Sequence, residues 1–80
     1  MLSDYSFREI AEDYLSKMTR LTKAGILAGV YDSRSDLQSI CEDVRESLLD
    51  TADTPRQRVM ASEYALDFTM EMIDYLESHK

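Results

Sequence analysis

The sequence predicts an all-α fold, a compact three-helix bundle with a long C-terminal helix. Three helix-start signals, each followed by an amphipathic stretch, are the main evidence for it. The 80 residues include only two glycines, one proline and no tryptophan, which is not the composition of a turn-rich β-protein. We expect a single domain, 1–80, of a size at which one hydrophobic core gives marginal stability, so a dimerised form of the bundle is a further expectation.

The first helix is expected over about residues 6–25. Ser6-Phe7-Arg8-Glu9 matches a capping box in which Ser6 caps the helix and Glu9 reaches back to it. Beyond Lys23 the apolar pattern breaks, because Ile26 would fall on the polar side of a continuing helix. We therefore expect that the helix ends near Gly25 and the segment after it packs irregularly, or else that this end of the helix is covered. The residues expected on its apolar face are Phe7, Ile10, Ala11, Tyr14, Met18, Leu21 and Gly25.

The second helix is expected over about residues 36–52. Ser35-Asp36-Leu37-Gln38 repeats the capping-box pattern immediately before a second periodic run. The helix is narrowly amphipathic, with one apolar stripe and an acidic opposite side on which Arg45 is the only base. Its predicted apolar stripe consists of Leu37, Ile40, Cys41, Val44, Leu48 and Ala52.

The third helix is expected over residues 55–78, about 35 Å at 1.5 Å per residue. Thr54 is its predicted N-cap, and Pro55 stands at the first helical position, where its missing N–H costs nothing. Its apolar arc covers about two-thirds of the circumference, more than one neighbouring helix can bury. The expected sectors are Val59, Leu66, Met70 and Ile73; then Ala61, Ala65, Met72 and Leu76; then Tyr64, Phe68 and Tyr75. The last of these is the edge expected to remain uncovered.

Five carboxylates run along the remaining face of this helix: Glu63, Asp67, Glu71, Asp74 and Glu77. At about 100° per residue they fall within roughly a third of the circumference. The helix has no lysine or arginine after Arg58 until Lys80, and like charges at helical spacing cost a few tenths of a kcal/mol per pair. A solubilising face is one explanation of such a row, and a docking surface for a cationic partner is the other.

The net charge of −7 limits the kinds of partner. Residues 1–31 carry four acids and four bases, whereas residues 32–80 carry twelve acids and five bases. Direct binding to nucleic acid or to an anionic membrane surface is therefore not expected, because both need clustered cations. Cys41 is the only cysteine, and the first residues lack the pattern of a signal peptide, which together favour a cytoplasmic protein.

Residues for catalysis or metal binding are not evident in the sequence. His79, the only histidine, stands one residue from the end of the sequence, and Cys41 lies on an apolar stripe without a cation placed to lower its pKa. Motifs for zinc, nucleotide phosphates or dinucleotides do not occur. We therefore expect no catalytic residue, no metal site, no cofactor and no enzymatic activity.

The function expected from these patterns is that of a small acidic binding protein. It would inhibit or regulate a basic, nucleic-acid-handling protein, and a nucleic-acid mimic of the anti-restriction or anti-CRISPR type is its sharpest form, compared on charge and size alone. The alternative is a structural or adaptor homodimer, joined through the tyrosine edge and the segment 24–31, with a merely solubilising acidic surface. The expected partner-binding residues are Glu63, Asp67, Glu71, Asp74, Tyr64 and Tyr75, assisted by Glu42, Glu46 and Asp50.

Overall fold

The computed structural model describes residues 1–79 and confirms the all-α class. Within those residues the chain forms three α-helices and no β-strand. They are α1 (Asp4–Leu27), α2 (Arg34–Thr51) and α3 (Pro55–Ser78). None of the three is long and apolar enough to cross a membrane.

α1 begins three residues earlier than a Ser6 cap would allow. Ser3 is the N-cap, and its hydroxyl accepts the backbone N–H of Ser6 at 3.0 Å. Asp4 lies in the first turn, where a carboxylate favours the positive end of the helix dipole. Ser6 is therefore the donor in the capping interaction, and the prediction that it is the cap was wrong.

The end of α1 is a glycine C-cap located beyond Gly25. Gly29 has a φ of 78°, in the left-handed region that glycine adopts without strain. The N–H of Val30 donates to the carbonyl of Gly25 at 2.9 Å, and the N–H of Gly29 donates to the carbonyl of Ile26 at 3.1 Å. This pair of bonds is a Schellman motif, and it allows α1 to continue to Leu27.

The buried stripe of α1 also differs from the expected one. It includes Ile26, which is buried, whereas Ile10 and Leu21 are 46% and 64% exposed. The buried residues recur mostly in steps of four, and a four-residue step turns the stripe by about 40° around the helix. The stripe therefore drifts away from Ile10 and Leu21. The buried residues of α1 are Phe7, Ala11, Thr22 and Ile26.

α2 starts at Arg34 with a complete capping box two residues before the expected one. Ser33 is the N-cap and Asp36 is the third helical residue, so Ser35 lies inside the first turn. The Asp36 carboxylate accepts the backbone N–H of Asp32 at 3.0 Å and that of Ser33 at 3.2 Å. Hydrogen bonding to Asp32 first, and then to Ser33, lowers the pKa of Asp36 below its usual 3.8.

α3 is capped by Thr54, whose hydroxyl accepts the backbone N–H of Gln57 at 3.1 Å. The Gln57 side chain is fully buried and joins three parts of the chain. Its amide group donates to the carbonyl of Leu2 at 2.7 Å and to Asp4 at 3.2 Å, and its oxygen accepts the N–H of Asp53 at 2.9 Å. The start of α3 is thereby fixed to the start of α1.

α3 is the central helix, because it packs against both α1 and α2 while those two barely touch each other. The molecule is elongated, 42 × 18 × 16 Å. On α3 the core contains Phe68 as well as the expected sector of Ala61, Ala65, Met72 and Leu76. Tyr64 and Tyr75 are half-buried against it. The buried apolar residues are Phe7, Ala11, Ile26, Leu37, Val44, Leu48, Ala52, Ala61, Ala65, Phe68, Met72 and Leu76.

The uncovered apolar surface of α3 is therefore not the tyrosine edge. It is the sector of Val59, Leu66 and Met70, which are 59%, 58% and 57% exposed. The segment that follows α1 is also partly open, since Leu27 and Val30 are exposed.

Candidate functional site

The acidic residues of α3 lie on its solvent-exposed face. All five are exposed, and the helix that carries them is continuous. Glu63 and Asp74 are eleven residues apart, which corresponds to about 16 Å along the axis. α3 therefore presents a straight row of carboxylates to solvent.

Two members of the row are paired with cations from the other helices. The Nζ of Lys23 on α1 lies 2.9 Å from a carboxylate oxygen of Glu71. Arg34 at the start of α2 pairs with Glu77. The part of α3 after Arg58 has no base of its own and thus receives bases from both neighbouring helices, which the sequence of α3 alone could not show.

The other three members, Glu63, Asp67 and Asp74, form no ion pair within the part of the chain that the structure describes. Arg8 of α1 lines the same shallow cavity as Glu63 and Asp67, and Arg58 of α3 lines another cavity with Glu63. The net negative charge of the row is therefore concentrated on these three residues.

Tyr75 is enclosed on the α1 side of α3. Lys23 lies over its ring, with the Nζ 4.9 Å from the ring centroid, and the His79 ring stacks on it at 4.0 Å between centroids. The same lysine pairs with Glu71, so it joins an aromatic ring and a carboxylate of α3 to α1. Tyr75 is consequently a helix-packing residue as well as an edge residue.

Tyr64 lies toward the N-terminal half of α3, between α1 and α3. It is half-buried and lines two small cavities between α1 and α3, both of which also contain Asp67. Its ring packs against the core. An aromatic ring beside an exposed carboxylate suits a contact surface, because it offers apolar area with a polar tip.

We call the exposed sector of Val59, Leu66 and Met70 the α3 ridge. It lies beside the acidic row, and the sequence analysis missed it as a surface feature. The wide apolar arc of α3 was the available signal, since two neighbouring helices cannot cover it completely. Which sector stays open depends on where α1 and α2 pack, and the sequence does not fix that.

The acidic residues of α2 expected to assist binding are also exposed. They are Glu42, Glu46 and Asp50. Glu42 accepts a hydrogen bond from the Gln38 side chain at 3.1 Å. These residues lie on the α2 side of a groove between the two helices, and Glu42 is one of the residues that line it.

This α2–α3 groove is defined by three neighbouring cavities. The largest, about 520 Å³, has Leu37, Cys41 and Ile73 among its lining residues, with Arg34 and Arg45 at its rim. The second shares Cys41 and Arg45 with it and extends to Leu66. The third continues past Leu66 on α3 alone, where Arg58, Val59 and Glu63 are among its lining residues. The groove thus combines an apolar floor with three arginines and two glutamates, Glu42 and Glu63.

A metal centre is not among the features of residues 1–79, where no three His, Cys, Asp or Glu side chains are placed to hold an ion. Cys41 is a free, half-buried thiol on the floor of the α2–α3 groove.

No protein family matches the sequence, and comparison with curated proteins and with solved structures finds no match.

Proposed function

We propose that this protein is a non-enzymatic, cytoplasmic binding protein that inhibits or regulates a basic, nucleic-acid-handling protein by contact. The observation that carries the proposal is the continuous outer face of α3. It presents Glu63, Asp67 and Asp74 without ion pairs to the described residues. One-sign charge on a rigid helix attracts an oppositely charged partner over a long range and raises the rate of association.

The spacing of the row supports a basic nucleic-acid-binding groove as its target. Five carboxylates over about 21 Å give roughly one carboxylate per 4–5 Å, although Glu71 and Glu77 are paired with cations, and one DNA strand presents a phosphate about every 3.4 Å. A single acidic helix can therefore approximate one strand of a duplex. The second row, on α2, is set apart by the α2–α3 groove, so α3 is the principal mimic in this proposal.

The α3 ridge and Tyr64 would supply the short-range part of the contact. Protein interfaces combine an apolar centre with a polar rim, and Val59, Leu66 and Met70 next to three carboxylates have that arrangement. On this view the charges govern encounter and salt dependence, and the apolar side chains govern the lifetime of the complex.

The proposal can be tested with a double charge reversal, Asp67→Lys with Asp74→Lys. Proteins captured from the native host at low salt would be titrated against the wild type and the variant, and also in competition with duplex DNA. We expect the variant to lose binding at least about a hundredfold, and the wild type to weaken steeply with salt.

The matched control is Glu12→Lys with Asp43→Lys, which makes the same change in net charge at exposed positions of α1 and α2. Equal loss of binding in both double variants would show that only net charge matters. Unchanged affinity in the Asp67/Asp74 variant, with no salt dependence, would remove the proposal.

Self-association as a structural or adaptor module is a second candidate function, which the exposed α3 ridge favours. Contiguous apolar side chains on a small domain commonly mark an interface. In this case the acids keep the remaining surface soluble. Sedimentation equilibrium at micromolar concentration tests it, since a strictly monomeric protein would contradict it.

A further inference from the structure

We infer that the α2–α3 groove is the seat for a second copy of this chain, related by a two-fold axis that runs parallel to the helices. The inference rests on the proposed self-association and specifies its face, its symmetry and its charge pairs.

The α2–α3 groove is rich in arginine. It collects three of the four arginines that residues 32–79 contain, namely Arg34, Arg45 and Arg58. Arg45 and Arg58 have no ion-pair partner within residues 1–79. An apolar channel edged with unpaired arginines fits an apolar element that carries carboxylates.

The chain itself presents an apolar element with a carboxylate next to the groove. The α3 ridge has apolar side chains interrupted by Glu63, and Glu63 makes no ion pair with the described residues. Leu66 and Val59 belong to both surfaces, because they line the groove as well as forming the ridge. A single face therefore holds both halves of a contact, which a two-fold symmetric interface requires.

The charges on α3 favour one of the two possible directions of the two-fold axis. A two-fold axis perpendicular to the helices would lay α3 on the α3 of the other copy and bring the two acidic rows together. A two-fold axis parallel to the helices lays α3 on the α2 of the other copy instead. Like charges facing each other across an interface cost several kcal/mol, so the parallel axis is favoured.

The parallel axis also determines the charge pair. Arg45 shares a cavity with Ser62 and Leu66, so its height along the helices is within about one helical turn of that of Glu63. A rotation about a parallel axis keeps that height. Arg45 of each copy then faces Glu63 of the other, and the two ridges seat their apolar side chains in the two grooves.

The experiment uses Arg45→Glu and Glu63→Arg, both at exposed positions, with dimerisation measured by sedimentation equilibrium. Each variant alone juxtaposes two like-charged pairs, so we expect its dimer to weaken by at least about tenfold. An equal mixture of the two variants has both pairs attractive. We expect the mixture to form a heterodimer about as tight as the wild-type dimer, which no rearrangement within one chain can imitate.

Leu66→Glu and Leu21→Glu provide matched controls for the apolar part, since both leucines are exposed, the first on α3 and the second on α1. Leu66→Glu should abolish the dimer and Leu21→Glu should leave it intact. A wild-type dimer without restoration in the mixture, or one insensitive to Leu66→Glu, would overturn this interface while self-association stands. A monomeric wild type at high micromolar concentration would overturn both.

Discussion

The Gln57 side chain donates a hydrogen bond to the carbonyl oxygen of Leu2 at 2.7 Å, across 55 positions of the sequence. The same amide group accepts from Asp53, whose own carboxylate accepts the N–H of Leu2 at 2.6 Å. The N-terminal segment, the α2–α3 linker and the first turn of α3 are therefore held by one buried amide.

Replacement of Gln57 by leucine should lower the free energy of unfolding by about 1–3 kcal/mol, because it removes hydrogen bonds to three residues and leaves partly buried backbone groups without these partners. Urea denaturation followed by circular dichroism measures the change. Gln38→Leu is the control, since Gln38 is exposed, and it should change stability by less than about 0.5 kcal/mol. Equal effects at the two positions would contradict the role of Gln57.

Two methionines of α3 should respond very differently to truncation. Met72 is fully buried and Met70 is 57% exposed. Met72→Ala should cost about 2–5 kcal/mol through lost burial and the cavity left behind, and Met70→Ala less than about 1 kcal/mol. Thermal unfolding of the two variants measures this difference. A larger loss at Met70 would mean that α3 is rotated from the orientation described.

Gly25 is in tight contact with the Tyr31 ring, and a methyl group at position 25 would overlap that ring. Alanine in place of glycine inside a helix normally stabilises by about 0.5–1 kcal/mol. We expect Gly25→Ala to be destabilising here, and Gly25→Ala combined with Tyr31→Ala to cost less than the sum of the single changes. Denaturant midpoints of the three variants form the cycle, and additive values would disprove the contact.

The carboxylate of Asp36 gives the stability of α2 a defined pH dependence. Its pKa is lowered in the folded state by hydrogen bonds to Asp32 and Ser33, so the folded state binds its proton less readily than the unfolded state. Its contribution is complete above the unfolded value of 3.8 and is lost as the pH falls through the lower folded value.

Asp36→Asn should therefore be less stable than the wild type at neutral pH, and the two proteins should converge in the acid range. Unfolding curves between neutral and strongly acid pH test this. The exposed Asp43, which lies further along α2, is the control, and Asp43→Asn should have little effect at neutral pH. A constant difference between wild type and Asp36→Asn down to the lowest pH would refute the assignment.

Lys23 should control the charge that α3 displays. Lys23→Met removes the ion pair with Glu71, an exposed pair whose loss should cost less than about 1 kcal/mol of stability. It also frees a fourth carboxylate on the outer face. Binding of an oligolysine peptide, measured by calorimetry at low salt, should strengthen roughly twofold to fivefold, in line with about 0.5–1 kcal/mol for an exposed charge. Lys17→Met, which frees Asp13 on α1 instead, should change this binding less.

Local sequence signals predicted the helical class and the three helices, but not the details that depend on packing. Thr54 with Pro55 left only one start for α3. Serine occurs at positions 3 and 6 and again at 33 and 35. The choice within each pair was wrong because only Ser6 and Ser35 are followed three residues later by Glu or Gln, whereas the actual caps are Ser3 and Ser33. Gly29 marks the end of α1. The helix was predicted to end near Gly25 instead, because Gly25 is the last residue of the predicted apolar stripe.

The carboxylates of the candidate site could be predicted from the sequence, but the cations that pair with two of them could not. The exposure of the α3 carboxylates follows from helical periodicity. The pairing of Glu71 with Lys23 and of Glu77 with Arg34 depends on which sides of α3 the other helices occupy. The positions of α1 and α2 on α3 also determine that Phe68 is buried and Leu66 is exposed. The apolar character of these two residues alone does not distinguish them.

Because α1 packs on α3 and hardly touches α2, we expect local opening of the protein to begin with the separation of α1 from the α2–α3 pair. Such an opening would carry Lys23 away, so that Glu71 would lose its ion pair and the Tyr75 ring would be uncovered. The number of unpaired carboxylates on α3 thus depends on a local unfolding equilibrium. Conditions that loosen α1 would increase the affinity of the protein for cationic partners before the rest of the fold is lost.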